Sequence, residues 1–116
     1  MGQTNYSVGH EAELRAADYL KNLGYKIIEL NWKTRLCEVD IIAKKQAVMY
    51  LIEVKYRSSG RQGSGFDYIT PKKLEQMKFA AQCWVQDNMY RGDYELAAIE
   101  VSGSDFTITS FLPNIL

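Results

Sequence analysis

Two stretches of the sequence decide the fold: Cys37-Glu38-Val39-Asp40-Ile41-Ile42-Ala43 and Leu51-Ile52-Glu53-Val54-Lys55-Tyr56. Both are rich in apolar and β-branched residues, which is typical of strands, and we predict strands over 38–44 and 48–56. The short polar break between them predicts a hairpin centred between Gln46 and Ala47. In this register the opposed pairs are Asp40 and Glu53, Glu38 and Lys55, Ile42 and Leu51, and, on the other face, Val39 and Val54 and Ile41 and Ile52.

The predicted hairpin puts four charged side chains on one face, because side chains alternate along each strand. Directly opposed Cβ atoms lie about 5 Å apart, so the carboxylates of Asp40 and Glu53 repel each other unless a proton or a cation lies between them. A divalent cation with oxygen ligands is one solution. The alternative is a solvated face on which Glu38 pairs with Lys55. The apolar surroundings favour the metal site, because strands of this composition are usually covered.

Glu13 is a third candidate carboxylate, at the beginning of a helix predicted over 9–23. The apolar stripe of this helix consists of Ala16, Ala17, Leu20 and Leu23. Glu13 lies on the same stripe, so we expect it on the buried side, where a metal near Asp40 and Glu53 would neutralise it. The alternative is an exposed carboxylate in the first turn, which the helix dipole favours.

The remaining chain predicts a second helix and three further strands. Strands are predicted over 27–32, 94–101 and 106–112, and a Gly- and Ser-rich loop over 58–65. Thr70 and Pro71 open a long helix, as N-cap and first helical residue, and Gly92 ends it. Its predicted apolar face consists of Leu74, Met77, Ala81, Trp84 and Val85. The order α-β-β-β-α-β-β predicts an α/β (α+β) sheet with helices packed on it.

Composition restricts the function further. The chain has 116 residues, 47% of them apolar, and a net charge of zero, so we expect one globular domain over 1–116 with a core at about 9–112. Two cysteines and a single histidine, His10, exclude a His/Cys zinc cluster within one chain and any catalytic triad without His10. We find no secretory signal and no apolar run long enough for a membrane span, and we expect a cytoplasmic protein with free thiols.

Basic side chains concentrate in the middle of the chain, which suggests a phosphate-facing patch. The candidates for phosphate contacts are Lys33, Arg35, Arg57, Lys72 and Lys73. The loop over 58–65 is flexible enough to become ordered on DNA. The alternative is an ordinary solvated surface.

The spacing Asp40…Glu53-Val54-Lys55 resembles the catalytic signature of PD-(D/E)XK nucleases. A wider set of positions is similar to the YraN family of small bacterial proteins: Gly9, Glu13, Ala16, Tyr19-Leu20, Gly24-Tyr25, Asn31-Trp32, Arg35, 38–43, Val54-Lys55, Arg57, Thr70 and Lys73. Ala12 and Cys37 depart from the family, which usually has Gly at both positions.

The resemblance implies a restriction-endonuclease-like αβββαβ core with a mixed central sheet, flanking helices and an extra C-terminal strand. It also implies that Asp40 and Glu53 bind one or two Mg²⁺ or Mn²⁺ ions with help from the Val54 carbonyl, and that Glu13 binds directly or through water. Lys55 would orient the attacking water or stabilise the transition state. Glu38 has two interpretations, a ligand of a second ion or an ion-pair partner of a nearby cation.

We therefore expect a metal-dependent nuclease that acts on DNA, including branched or junction DNA, and that needs no small-molecule cofactor and no membrane. A homodimer would suit the cutting of both strands. The alternative is a binding module on a nuclease fold, which holds nucleic acid or a protein partner without cutting. Opposed carboxylates beside Lys55 favour the enzyme, because a binding module does not need them.

Overall fold

A five-stranded mixed sheet lies between two helices in the computed structural model, which describes residues 5–58 and 65–116. The elements are α1 (Asn5–Asn22), β1 (Lys26–Lys33), β2 (Glu38–Lys45), β3 (Val48–Arg57), α2 (Pro71–Asp87), β4 (Asp93–Ser102) and β5 (Thr107–Leu112). The strands are arranged in the order β1-β2-β3-β4-β5. The β3–β4 pair is parallel, because α2 connects the two strands, and the other pairs are antiparallel. The predicted class and element order are confirmed, and most of the predicted loop over 58–65 lies outside the described residues.

Helix α1 covers one face of the sheet with a stripe of small apolar residues. Ala12, Ala16, Ala17 and Leu20 are buried against residues of β2, β3 and β4. Leu23, which we predicted on this stripe, is 41% exposed. The reason is that the helix ends at Asn22, and Gly24 then takes a φ of 94°. The left-handed glycine turns the chain into β1 and lets the Tyr25 N–H donate to the Leu20 carbonyl at 3.0 Å.

Helix α2 covers the opposite face and begins as predicted. The Thr70 hydroxyl accepts a hydrogen bond from the Lys73 N–H at 3.1 Å, and Pro71 occupies the first turn. The helix ends at Asp87, before Gly92, because Met89 adopts a left-handed φ of 49°. The buried residues of α2 are Met77, Ala80, Ala81 and Trp84. No helix within 5–58 or 65–116 is long and apolar enough to cross a membrane.

The β2–β3 hairpin has the predicted register over most of its length. Ile41 pairs with Ile52, and Ile42 pairs with Leu51. Ile41 and Ile52 are buried under α1, whereas Ile42 and Leu51 are buried under α2. Burying each of these side chains contributes about 1.5–3 kcal/mol, so a register slip that moved them to the wrong face would be costly.

The predicted alternation fails near the beginning of β2. Val39 packs under α2, while Val54, its predicted partner, packs under α1. The cause lies in β1, where Asn31 has a left-handed φ of 55°. The faces shift at this residue: Leu30 packs under α1, but Trp32 packs under α2. The predicted Val39–Val54 pair is therefore wrong.

Candidate functional site

The candidate site lies where β2 and β3 separate. Their pairing stops at Ile41 and Ile52, while β3 continues beside β4 as far as Arg57. Beyond this point the Asp40 carboxylate replaces a ladder partner, because its Oδ2 accepts a hydrogen bond from the Val54 N–H at 2.8 Å. This hydrogen bond fixes the Asp40 side chain next to Val54 of β3, the residue that follows Glu53.

Glu13 of α1 approaches Asp40 from the face of the sheet that α1 covers. Its carboxyl group lies near Asp40 and the side chain of Asn31, close enough for both to affect its pKa. Neighbouring carboxyl groups disfavour each other's ionisation, so the negative charge of Glu13 contributes to raising the pKa of Asp40. Asn31 lies beside Glu13 in a left-handed backbone conformation, which asparagine tolerates better than most residues. Sequence reasoning assigned no role to Asn31.

The electrostatics of the site favour binding of a cation. Burial and, next, the nearby Glu53 carboxylate together raise the pKa of Asp40 to about 8, against the lowering effect of the Val54 N–H. Burial also raises the pKa of Glu13. Three carboxyl groups from α1, β2 and β3 therefore lie near one another, and ionising them together is unfavourable without a positive charge.

Oxygen ligands of this kind fit Mg²⁺ or Mn²⁺. Within residues 5–58 and 65–116, no three Asp, Glu, His or Cys side chains form a ready-made metal cage. Mg²⁺ does not require one, because it usually binds through one or two carboxylates and keeps waters or substrate phosphates as its other ligands. Asp40 and Glu53 satisfy that requirement, with Glu13 in reach of Asp40.

Glu53 faces α2, where it contacts a lysine. The Lys73 Nζ lies 3.1 Å from Glu53 Oε2, and both side chains are partly exposed. Lys73 is one of the predicted phosphate contacts, and in this structure its ammonium group is the counter-charge of Glu53. The pair joins the carboxylate site to the surface of α2.

An open cleft of about 640 Å³ adjoins this pair, between the β1–β2 turn and α2. Four of the five predicted phosphate contacts line it, namely Lys33, Arg35, Lys72 and Lys73. Glu38 and Glu53 also line the cleft. Glu38 pairs in register with Lys33 of β1. The predicted Glu38–Lys55 pair does not form, because the pairing of β2 with β3 stops at Ile41 and Ile52. The cleft is thus rich in basic side chains and reaches one carboxylate of the candidate centre.

Lys55 lies two residues after Glu53 on the same face of β3, as predicted. Its Nζ is 5.5 Å from the ring centroid of Tyr68, in the segment that precedes α2. Tyr68 was not predicted as a site residue, because no motif marks it in the sequence.

Arg57, the fifth predicted phosphate contact, has a different environment. It is 8% exposed, and its Nε donates to Glu100 Oε2 at 2.6 Å. Glu100 is 4% exposed and also accepts a hydrogen bond from the Thr109 hydroxyl at 2.8 Å. The burial and the ion pair argue against a phosphate contact and indicate a role in stability.

The fold and the site together define a class: a mixed α/β domain compatible with a restriction-endonuclease-like core and an additional C-terminal strand, with clustered carboxylates beside a basic cleft. The chain belongs to the uncharacterised protein family UPF0102, which is the YraN family, and the family profile matches residues 12–101. The expected membership is therefore confirmed.

Relatives from three bacteria match most of the chain. A UPF0102 protein of Flavobacterium johnsoniae is 34% identical over 107 residues, covering 87% of this chain and 87% of the relative. A UPF0102 protein of Herpetosiphon aurantiacus is 33% identical, with 88% and 86% covered. A third, from Agrobacterium fabrum, is 36% identical over 108 residues, with 93% and 80% covered.

Proposed function

We propose that this protein is a Mg²⁺- or Mn²⁺-dependent nuclease that hydrolyses phosphodiester bonds in DNA. The observation that carries the proposal is the grouping of Glu13, Asp40 and Glu53 at the separation of β2 and β3, next to a cleft lined by basic residues. Carboxylates that disfavour each other's ionisation supply the ligands, and the cleft supplies positive charge for a phosphate backbone.

Each residue of the site has a task in this proposal. Asp40 and Glu53 would bind the cation, and Glu13 would bind it directly or through a water. A bound cation lowers the pKa of a coordinated water and neutralises charge on the scissile phosphate. Lys55 would orient the attacking water or stabilise the charge that develops in the transition state. Its position beside Glu53 on β3 supports that role.

The cleft would hold the DNA backbone. Lys33, Arg35 and Lys72 are exposed and line it together, so their charges are available to phosphates. Lys73 would exchange its contact with Glu53 for a phosphate once a cation neutralises that carboxylate. Leu36 and Phe79, which are 78% and 47% exposed, also line the cleft and offer apolar contacts to sugars and bases.

A non-catalytic nucleic-acid-binding module is the second candidate. The observation that favours it is that the carboxyl groups have partners without a metal, since Glu53 pairs with Lys73 and Asp40 accepts a hydrogen bond from the Val54 N–H. In this alternative the same cleft binds DNA, and no bond is cut.

Cleavage assays distinguish the two candidates. Single-stranded, duplex, flap and four-way-junction DNAs are incubated with Mn²⁺ at low salt, using the wild type, Lys55→Ala and the control Lys44→Ala, whose lysine is exposed on β2 away from the cleft. We expect cleavage by the wild type and the control and none by Lys55→Ala, while Lys55→Ala still binds Mn²⁺. Binding without cleavage under any metal would favour the module, and the absence of both would refute the proposal.

A second prediction concerns the cleft. Lys33→Ala and Lys72→Ala should each weaken DNA binding and reduce the slope of log K against log salt by about 1, because each removes one phosphate contact. The control is Lys26→Ala, an exposed lysine at the other end of β1. Fluorescence anisotropy at several salt concentrations, with Ca²⁺ in place of Mn²⁺, measures the slope. An equal slope for the control and the cleft variants would show that DNA binds elsewhere.

A further inference from the structure

Tyr68 carries a buried polar group that the proposed chemistry has not used. Its hydroxyl oxygen is inaccessible to solvent and has no hydrogen-bond partner among residues 5–58 and 65–116. Burying a hydroxyl without a partner is unfavourable, and native proteins seldom keep one unless a ligand, an ion or a water completes it.

The surroundings of Tyr68 are those of the candidate site. Its ring centroid lies 5.5 Å from Lys55 Nζ and 5.9 Å from the guanidinium carbon of Arg57. Burial raises the pKa of the Tyr68 phenol, and the carboxylates of Glu53 and Asp40 are the next causes. The phenol is therefore protonated at neutral pH and within electrostatic range of both proposed cation ligands.

The hydroxyl has a hydrogen to donate, and the two cations beside its ring are themselves donors. Arg57 already donates to Glu100. The partner that suits this position is an oxygen brought into the site from outside the described chain. Oxygens bound to a divalent cation at Asp40 and Glu53 meet this condition, whether they belong to a water or to a phosphate.

We propose that Tyr68 is a ligand-binding residue of this site, whose hydroxyl donates a hydrogen bond to an oxygen of the cation's outer ligands, a water or a phosphate. This inference rests on the proposed function, because it requires the cation site. The Tyr68 hydroxyl would add a neutral hydrogen-bond donor, from the segment before α2, to the charged residues of β2 and β3. This donor would lie beside Lys55, which follows Glu53 on β3.

Tyr68→Phe tests the inference because it removes only the hydroxyl. The matched control is Tyr56→Phe on β3, where the lost hydroxyl donates to the Gly103 carbonyl at 2.9 Å. Without metal, the melting temperature should be unchanged or higher in Tyr68→Phe and lower in Tyr56→Phe. The reason is that only the control loses a satisfied hydrogen bond.

Binding is then measured with Mn²⁺ alone by calorimetry, and with duplex DNA in Ca²⁺ by anisotropy. Tyr68→Phe should weaken at least one of them about 5- to 10-fold, as the loss of one hydrogen bond to a charged partner does, while Tyr56→Phe changes neither. Weaker Mn²⁺ binding indicates a water oxygen, and weaker DNA binding alone indicates a phosphate oxygen.

Unchanged affinities of Tyr68→Phe for both Mn²⁺ and DNA, beside a wild type that binds them, would overturn the role of Tyr68 and leave the proposed function intact. A wild type that binds neither would overturn both. The two failures are therefore distinguishable in one set of measurements.

Discussion

Asp40→Asn should make the metal-free protein more stable at pH 8 while removing DNA cleavage. Burial and the Glu53 carboxylate raise the pKa of Asp40 to about 8, so ionising it in the folded protein is costly. Asparagine keeps an oxygen that accepts the Val54 N–H and carries no charge. We expect a gain of up to about 5 kcal/mol at pH 8 in the free energy of unfolding, since each unit between the two pKa values of Asp40 corresponds to about 1.4 kcal/mol.

The same substitution should flatten the pH dependence of stability. In the unfolded chain Asp40 loses its proton near its ordinary pKa of 3.8, but in the folded protein near 8. Between these values the folded state binds more protons, so stability falls as pH rises and the penalty is complete above pH 8. Urea denaturation with EDTA at pH 5, 6.5 and 8 should show this fall for the wild type and for Asp67→Asn, an exposed carboxylate control, and a smaller fall for Asp40→Asn, which retains the raised pKa of Glu13. Wild-type stability that increases over this range would contradict the account.

Cleavage should fall by at least about 10³-fold in Asp40→Asn, because the variant loses a charged ligand of the cation that activates the water and neutralises the phosphate. Gain of stability together with loss of activity is typical of a residue kept for function. A variant with unchanged cleavage would remove Asp40 from the mechanism.

Arg57→Met should lower the free energy of unfolding by about 3–5 kcal/mol, because it leaves the Glu100 carboxylate buried without its charged partner. The control is Arg91→Met, at an exposed position outside the helices and strands, which should change stability little. Glu100→Gln should also destabilise, and the double variant should lose less than the sum of the two losses. Urea denaturation of the four variants measures these changes in the free energy of unfolding. Loss of DNA affinity in Arg57→Met at unchanged stability would instead restore the predicted phosphate contact.

The sequence predicts the β2–β3 hairpin well where the alternation of side chains between the two faces of the sheet determines which residues are buried. Ile41, Ile42, Leu51 and Ile52 alternate between two covered faces, and only one register buries all four. The prediction fails at Val39 because the shift depends on a left-handed residue in the neighbouring strand, Asn31. A pattern within one strand carries no information about a backbone irregularity in its partner.

Prediction of the candidate site from local sequence patterns has the same limit. Opposed carboxylates were predictable from local spacing, and the structure brings Asp40 close enough to Glu53 for the charge of one to raise the pKa of the other. The Arg57–Glu100 ion pair was not predictable, because its partners are 43 residues apart and meet through the parallel β3–β4 pairing. Tyr68 approaches the site from a segment outside the helices and strands, where periodicity gives no orientation.

Calorimetric titration with Mn²⁺ tests whether Asp40 belongs to a cation site. The wild type, Asp40→Asn and the control Asp67→Asn are titrated at pH 6.5 and pH 8.5. We predict saturable binding by the wild type and the control that is tighter at pH 8.5, because Asp40, whose pKa is raised to about 8, must lose its proton when the cation binds. Asp40→Asn should bind at least about tenfold more weakly, a loss of about 1.4 kcal/mol. A wild type that gives no binding heat at either pH, or an Asp40→Asn variant that binds as tightly, would contradict the account.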